Sequence, residues 1–165
     1  RWTYAAAAAD FDEDGWLDLY AANDYGPNSL WQNRGDGTFV DVGDAVGVTD
    51  VGNGMGTLWS DLDNDATLDL YVANMASTAG NRILKRLASQ GGTTETLLKL
   101  AGGNSIFLNG KTDDSLRSFE RLDRGHGGID ASWAWSTIST DLDLDGRLDL
   151  FCANGFITGD TPADT

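Results

Sequence analysis

Short apolar runs alternate along this chain with acidic or glycine-bearing turns, and one such segment occurs three times, at Asp10–Asn23, Asp61–Asn74 and Asp141–Asn154. Each copy has Asp at positions 1, 3, 5 and 9, Phe or Leu at position 2, and Leu at position 8. Leu, an aromatic, a small residue, Ala and Asn then follow, as in Leu19-Tyr-Ala-Ala-Asn23. A short apolar run after a polar turn reads as a strand, here one buried on both faces.

The flanks repeat too. Eight residues before the first loop Asp stand Trp2 and Trp133, and six before it stand Tyr4, Met55 and Trp135. After the loops come Asn28–Asn33 and Asn104–Asn109, then Thr38–Val42 and Ser118–Leu122. Each unit therefore reads as strand, acidic loop, strand, turn, strand, turn, strand, which is the make-up of a propeller blade. The run Ala5–Ala9 favours a helix by propensity, but its register with Thr57–Ser60 and Ser136–Thr140 predicts a strand of small residues crowded near an axis.

The interval between the second and third loops is roughly 30 residues longer than that between the first and second. Within it, Asn81–Ser89 and Thr94–Ala101 carry helix formers with leucines at near-helical spacing. The predicted organisation is all-β: a partial β-propeller of about three blades or parts of blades with a short two-helix insertion. Repeat one spans 1–52, repeat two spans 53–130 with the insertion at about 76–103, and the truncated start of repeat three spans 131–165. Three units cannot close a propeller, and the chain opens at Arg1 without a methionine, so the expectation is a segment of a longer polypeptide.

Charge alters this picture only through its placement. With 26 acidic and 11 basic residues the formal net charge is −15, a poor partner for nucleic acid or anionic membrane. No apolar run approaches a membrane span. The single cysteine, Cys152, excludes an internal disulfide and a multi-cysteine metal site.

Much of the acid is concentrated in the loops. Carboxylates two residues apart repel unless a cation neutralises them, and four per loop supply the hard oxygens that Ca2+ takes at coordination numbers of 6–8. The predicted ligands are Asp10, Asp12, Asp14 and Asp18; Asp61, Asp63, Asp65 and Asp69; and Asp141, Asp143, Asp145 and Asp149. The backbone carbonyls of Trp16, Thr67 and Arg147, at position 7, would complete the shells. Up to three Ca2+ ions follow, one per loop; magnesium wants a tighter octahedron and zinc wants His or Cys. Glycine at position 6 permits the sharp turn, but loop two has Ala66 there, which predicts weaker binding or a different bend. An EF-hand is excluded because its bidentate position-12 Glu is replaced by Ala21, Val72 and Cys152 inside apolar segments.

These loops, with Asn28–Asn33 and Gly35-Asp-Gly-Thr-Phe39, resemble the FG-GAP/VCBS repeats of integrin-type β-propellers. The ASPIC/UnbV-associated, cartilage-acidic-protein-like branch is the nearest in pattern, with the helical insertion and the ending Asn154-Gly-Phe-Ile-Thr158 also similar. The resemblance implies a secreted, cell-surface or periplasmic propeller of about seven blades that binds calcium through the loop aspartates. Lys111-Thr-Asp-Asp114 departs from the Gly-Asp-Gly-Thr turn, which implies a changed outer hairpin in repeat two.

Other reactive-looking residues read as structural. His126 stands alone in Gly125–Gly128 without a paired nucleophile or a phosphate-loop context. Cys152 aligns with Ala21 and Val72 and reads as a small core residue. Recurrence at strand positions reads the tryptophans, Trp31 included, as core rather than sugar platforms, with Trp16 as an exposed exception. Arg82, Lys85 and Arg86 read as a solvated helix face.

The leading expectation is a non-catalytic binding, adhesion or assembly scaffold held rigid by calcium, with a protein or glycan ligand or other subunits as partner. Its rivals are a polysaccharide lyase or hydrolase with catalytic residues outside this segment, and an accessory subunit of a large extracytoplasmic complex.

Overall fold

The computed structural model of the chain describes residues 2–76, 83–84, 86–87, 89, 95–110, 117–123 and 133–155. These form ten strands and two short helices, with the described residues between 83 and 89 also helical. In chain order they are β1 (Trp2–Ala9), β2 (Asp18–Pro27), β3 (Ser29–Asn33), β4 (Phe39–Asp41), α1 (Gly43–Val46), β5 (Val51–Ser60), β6 (Asp69–Asn74), α2 (Glu95–Leu100), β7 (Ser105–Gly110), β8 (Ser118–Arg121), β9 (Ala134–Thr140) and β10 (Asp149–Asn154).

Strands β1–β4 make one antiparallel meander, β5–β8 a second, and β9–β10 begin a third. Register is common to all three. Ala9 pairs with Asp18, Ser60 with Asp69 and Thr140 with Asp149, so each acidic loop is the turn of an inner hairpin. Each hairpin also has a register shift at the same place, opposite the loop's terminal Asn: between Thr3 and Ala5, between Gly54 and Gly56, and at Asn154 opposite Ala134. The bulged residues are therefore Tyr4, Met55 and Trp135, the ones that recur six positions ahead of each loop. A bulge inserts an extra residue and sharpens the local twist, which explains the recurrence without any ligand.

The alanine run of β1 is a strand, as its register predicts. A strand partner decides its state over intrinsic propensity. Crowding accounts for the small residues of β5, where a Cβ on Gly54 would lie 3.0 Å from Ala22 Cβ and one on Gly56 3.0 Å from the Trp135 carbonyl; in β1 itself only Ala9 is buried. Neighbouring units are also stitched at their edges. β2 runs on to Pro27 and pairs with the start of β5, and Met75 bridges to Trp133 in the same way.

The cores lie between units. Phe11, Tyr20, Leu30, Val46, Val48, Leu70, Val72, Phe107 and Phe119 fill the first seam, with Trp59 packed against them. Rings dominate it: Phe11 stacks on Trp59 at 6.4 Å and meets Phe119 at 6.0 Å, while Tyr20 lies edge-on to Trp59. The second seam is built from Tyr71, Ala73, Ile106 and Ala134, with leucines around them.

Burial corrects three expectations. Only β6 is buried along its whole length; β2 leaves Leu19 40% exposed, and β10 is mostly exposed. Trp31 is 39% exposed rather than core, and Trp2 and Trp135 are exposed as well. The cause is visible in the pairing. Leu19 opposes Trp31 as Leu70 opposes Phe107, but the face carrying Leu70 and Phe107 lies on the first unit, while nothing described in the chain covers Leu19 and Trp31. Cys152 is half-buried against the second seam, short of the full burial expected.

In the insertion, Ile83, Leu84, Arg86, Leu87 and Ser89 are helical and α2 ends before Gly102. Helix α1 was not foreseen; it closes through an N–H of Val48 to the Gly43 carbonyl, with Gly47 left-handed at its end. The Lys111–Asp114 turn, His126 with its glycines, Arg82, Lys85 and Phe156–Thr158 lie outside the described residues.

Candidate metal centre

Each acidic loop curls around its own first aspartate. In loop one the N–H of Asp14 donates to Asp10 Oδ1 at 3.0 Å and to Asp12 Oδ1 at 3.3 Å, and the Gly15 N–H donates to Asp10 Oδ2 at 2.9 Å. Loop two repeats this through Asp65 N–H and Ala66 N–H onto Asp61, and loop three through Asp145 N–H and Gly146 N–H onto Asp141.

The backbone needs two left-handed residues per loop. Position 6 is one: Gly15, Ala66 and Gly146 have φ of 92°, 67° and 87°. Loop two therefore does not bend differently, which corrects that expectation; Ala66 takes the left-handed turn, at a cost of about 1 kcal/mol. Thr67 helps to hold it, its hydroxyl donating to Asp65 Oδ1 and also lying 3.1 Å from the Asn109 carbonyl. Position 4 is the other left-handed residue, with Glu13, Asn64 and Leu144 at φ of 62°, 63° and 62°. Sequence reading missed it, because only Asn64 is a residue type that favours this region.

The folded loops gather carboxylates from positions 1, 3 and 9. Among the described residues, the groups Asp10–Asp12–Asp18, Asp61–Asp63–Asp69 and Asp141–Asp143–Asp149 each bring three oxygens within 4.8 Å of one another. Position 5 is not in these groups. Asp14, Asp65 and Asp145 instead accept the position-7 N–H of Trp16, Thr67 and Arg147 at 2.8, 2.7 and 2.8 Å. Trp16 itself is exposed, and its indole lies over Gly35 in the β3–β4 turn.

Position 9 anchors each loop to the sheet. Asp18 is buried and accepts from the N–H of Phe11 at 3.2 Å and of Asn33 at 2.8 Å. Asp69, also buried, accepts from Leu62 at 2.7 Å and Asn109 at 2.8 Å. Asp149 keeps the first of these bonds, from Leu142 at 3.0 Å, but is exposed. Burial pushes the Asp18 carboxyl up to about 6, against the pull of the two N–H groups, and the charges of Asp12 and Asp14 add to the rise. Burial raises Asp69 for the same reason.

The terminal asparagines of the motif explain themselves here. Asn33 and Asn109, at the ends of β3 and β7, donate to the carbonyls of Leu17 and Leu68 and so hold position 8. Asn23 and Asn74 receive the side-chain oxygens of Asn28 and Asn104 on their N–H groups, and these in turn donate to the hydroxyls of Tyr20 and Tyr71. One further residue escaped sequence reading. Buried Asp50 accepts from Asn74 Nδ2 and Ser105 Oγ and pairs with Arg121 at 3.2 Å, clipping the first unit to the second.

Oxygen-only donor sets of this kind suit a hard divalent cation, and three converging carboxylates suit Ca2+ above zinc or a soft metal. The residues present fit the ion. Ligands from positions 1, 3 and 9 would tie the loop's start to the following strand, and the ion would supply charge neutralisation there.

An FG-GAP-like repeat is recognised over residues 10–72, covering loops one and two. The chain is 26% identical to cartilage acidic protein 1 of Xenopus tropicalis over 84% of its own length, and 29% and 28% identical to the human and mouse proteins over the same share. It spans about a quarter of the length of these relatives, 26% in each case.

Proposed function

We propose that this chain, which matches an FG-GAP-like repeat over residues 10–72 and is similar to cartilage acidic protein 1, is a calcium-stabilised segment of an extracellular β-propeller serving as a non-catalytic scaffold. The observation that carries the reading is the threefold recurrence of one arrangement, three carboxylates within 4.8 Å at the turn of an inner hairpin. A solvated acidic turn has no reason to converge its charges the same way three times. Among the described residues no helix is long and apolar enough to cross a membrane, and the relatives' name supports an acidic matrix or surface setting. Millimolar calcium outside cells is enough for a site of modest affinity. A protein or glycan ligand, or another subunit, would then be presented with loops fixed on a rigid disc.

Calorimetric titration of the metal-free chain with calcium tests the reading. Up to three ions should bind, and Asp10→Asn with Asp12→Asn should remove one. Absence of calcium binding at millimolar concentration would remove the basis of the proposal.

A further inference from the structure

Loops one and two belong to different units, yet one side chain touches both. Asn109, buried at the end of β7, donates its backbone N–H to Asp69 Oδ1 at 2.8 Å and its side-chain amide to the Leu68 carbonyl at 3.1 Å, both in loop two. The same amide nitrogen donates to the Phe11 carbonyl of loop one at 3.0 Å. Phe11 in turn gives its N–H to Asp18 Oδ2 at 3.2 Å. An unbroken path of hydrogen bonds thus runs from a carboxylate of the first site to a carboxylate of the second: Asp18, Phe11, Asn109, Asp69.

The seam around this path is stiff. Phe11 is fully buried against Trp59 and Phe119, and loop one is held to the second unit again by Arg117, whose guanidinium pairs with Glu13 at 2.6 Å. A ligand that fixes Asp18 and Phe11 therefore fixes the acceptor that orients Asn109, and an ion on Asp69 fixes Asn109 from the other side. Ordering that has already been supplied by one ion does not have to be supplied by the next.

We infer that Asn109 is a positioning residue that couples the first two calcium sites, so that filling either one tightens the other. The inference rests on the calcium reading above. Coupling through such a contact is reciprocal and is expected at about fivefold in affinity.

The test is a thermodynamic cycle on the full chain with loop three silenced by Asp141→Asn and Asp143→Asn. Calcium constants are measured by calorimetry for that protein, and with loop two silenced (Asp61→Asn, Asp63→Asn) or loop one silenced (Asp10→Asn, Asp12→Asn). These acids lie at the outer part of the loops, and amide for carboxylate keeps their shape. The two-ion constant should exceed the product of the single-site constants by about fivefold, and Asn109→Ala should bring the ratio to one. A ratio of one in the parent protein overturns the coupling, while a ratio that Asn109→Ala leaves unchanged overturns the role of Asn109, even if that variant melts earlier. Failure of every variant to bind calcium would instead overturn the reading on which the inference rests.

Discussion

Replacing Asp50 by alanine should loosen the seam between the first two units more than any surface change. Its carboxylate accepts from Asn74 Nδ2 at 3.0 Å and Ser105 Oγ at 2.7 Å, and Arg121 lies 3.2 Å away. Hydrogen bonds to a charged group contribute about 1.5–3 kcal/mol each, and removing the acceptor leaves buried donors behind. Two features reduce the loss. Asn74 Nδ2 keeps the Gly103 carbonyl at 2.9 Å, and Arg121 is half exposed and sits over the Phe107 ring, so its charge stays hydrated. A net loss of about 3 kcal/mol follows, which for a chain of this size is a fall in Tm of about 6–12 °C. Denaturant unfolding and calorimetry measure it, with the exposed Glu120→Gln as reference. A change for Asp50→Ala within about 0.5 kcal/mol of that reference would refute the reasoning, because the carboxylate would then not be the clip described.

Ala66→Gly relieves a left-handed alanine and should stabilise the chain by about 0.5–1 kcal/mol, read as a rise in Tm. Phe11→Ala empties the aromatic centre of the first seam and should cost about 3–5 kcal/mol, with a red shift of Trp59 fluorescence; the corresponding Leu142→Ala, exposed in loop three, should cost almost nothing by the same denaturant titration. Because the Asp18 carboxyl sits near 6, calcium must displace a proton there below that pH. Calcium affinity of loop one should be flat above pH 7 and fall as the pH drops through 6, measured by calorimetry with loops two and three silenced. The sign for the metal-free fold is opposite: a raised carboxyl stabilises in its protonated form, so this contribution is full at low pH and is lost as the pH rises through 6.

The threefold Asp spacing made most of the architecture legible, since a period-2 strand on each side of a fixed-length loop leaves one register in which the terminal Asp pairs with the preceding strand. It also made the alanine run of β1 legible, against its propensity. What sequence could not supply was which face another unit would cover. Trp31 and Phe107 occupy equivalent positions, yet one is exposed and the other buried, because burial there depends on the neighbour and not on the strand. Within the loops, all four aspartates look alike in spacing. The left-handed residues at position 4 (Glu13, Asn64 and Leu144) and position 6 (Gly15, Ala66 and Gly146) set the turn in which position 5 folds onto position 7 while positions 1, 3 and 9 converge. Asp50 and Asn109 were invisible as links because their partners lie in other units, far along the chain.

The claim at the centre is that calcium holds these loops and, through them, the blades. Thermal melting with limited proteolysis, in calcium and then in a chelator, tests it most directly. Each site filled at 100 times its Kd adds about 2.7 kcal/mol, so chelation should lower Tm by several degrees per occupied site and open the Asp10–Asp18, Asp61–Asp69 and Asp141–Asp149 loops to protease, with calcium restoring both. An unchanged Tm and an unchanged cleavage pattern in chelator would contradict the account.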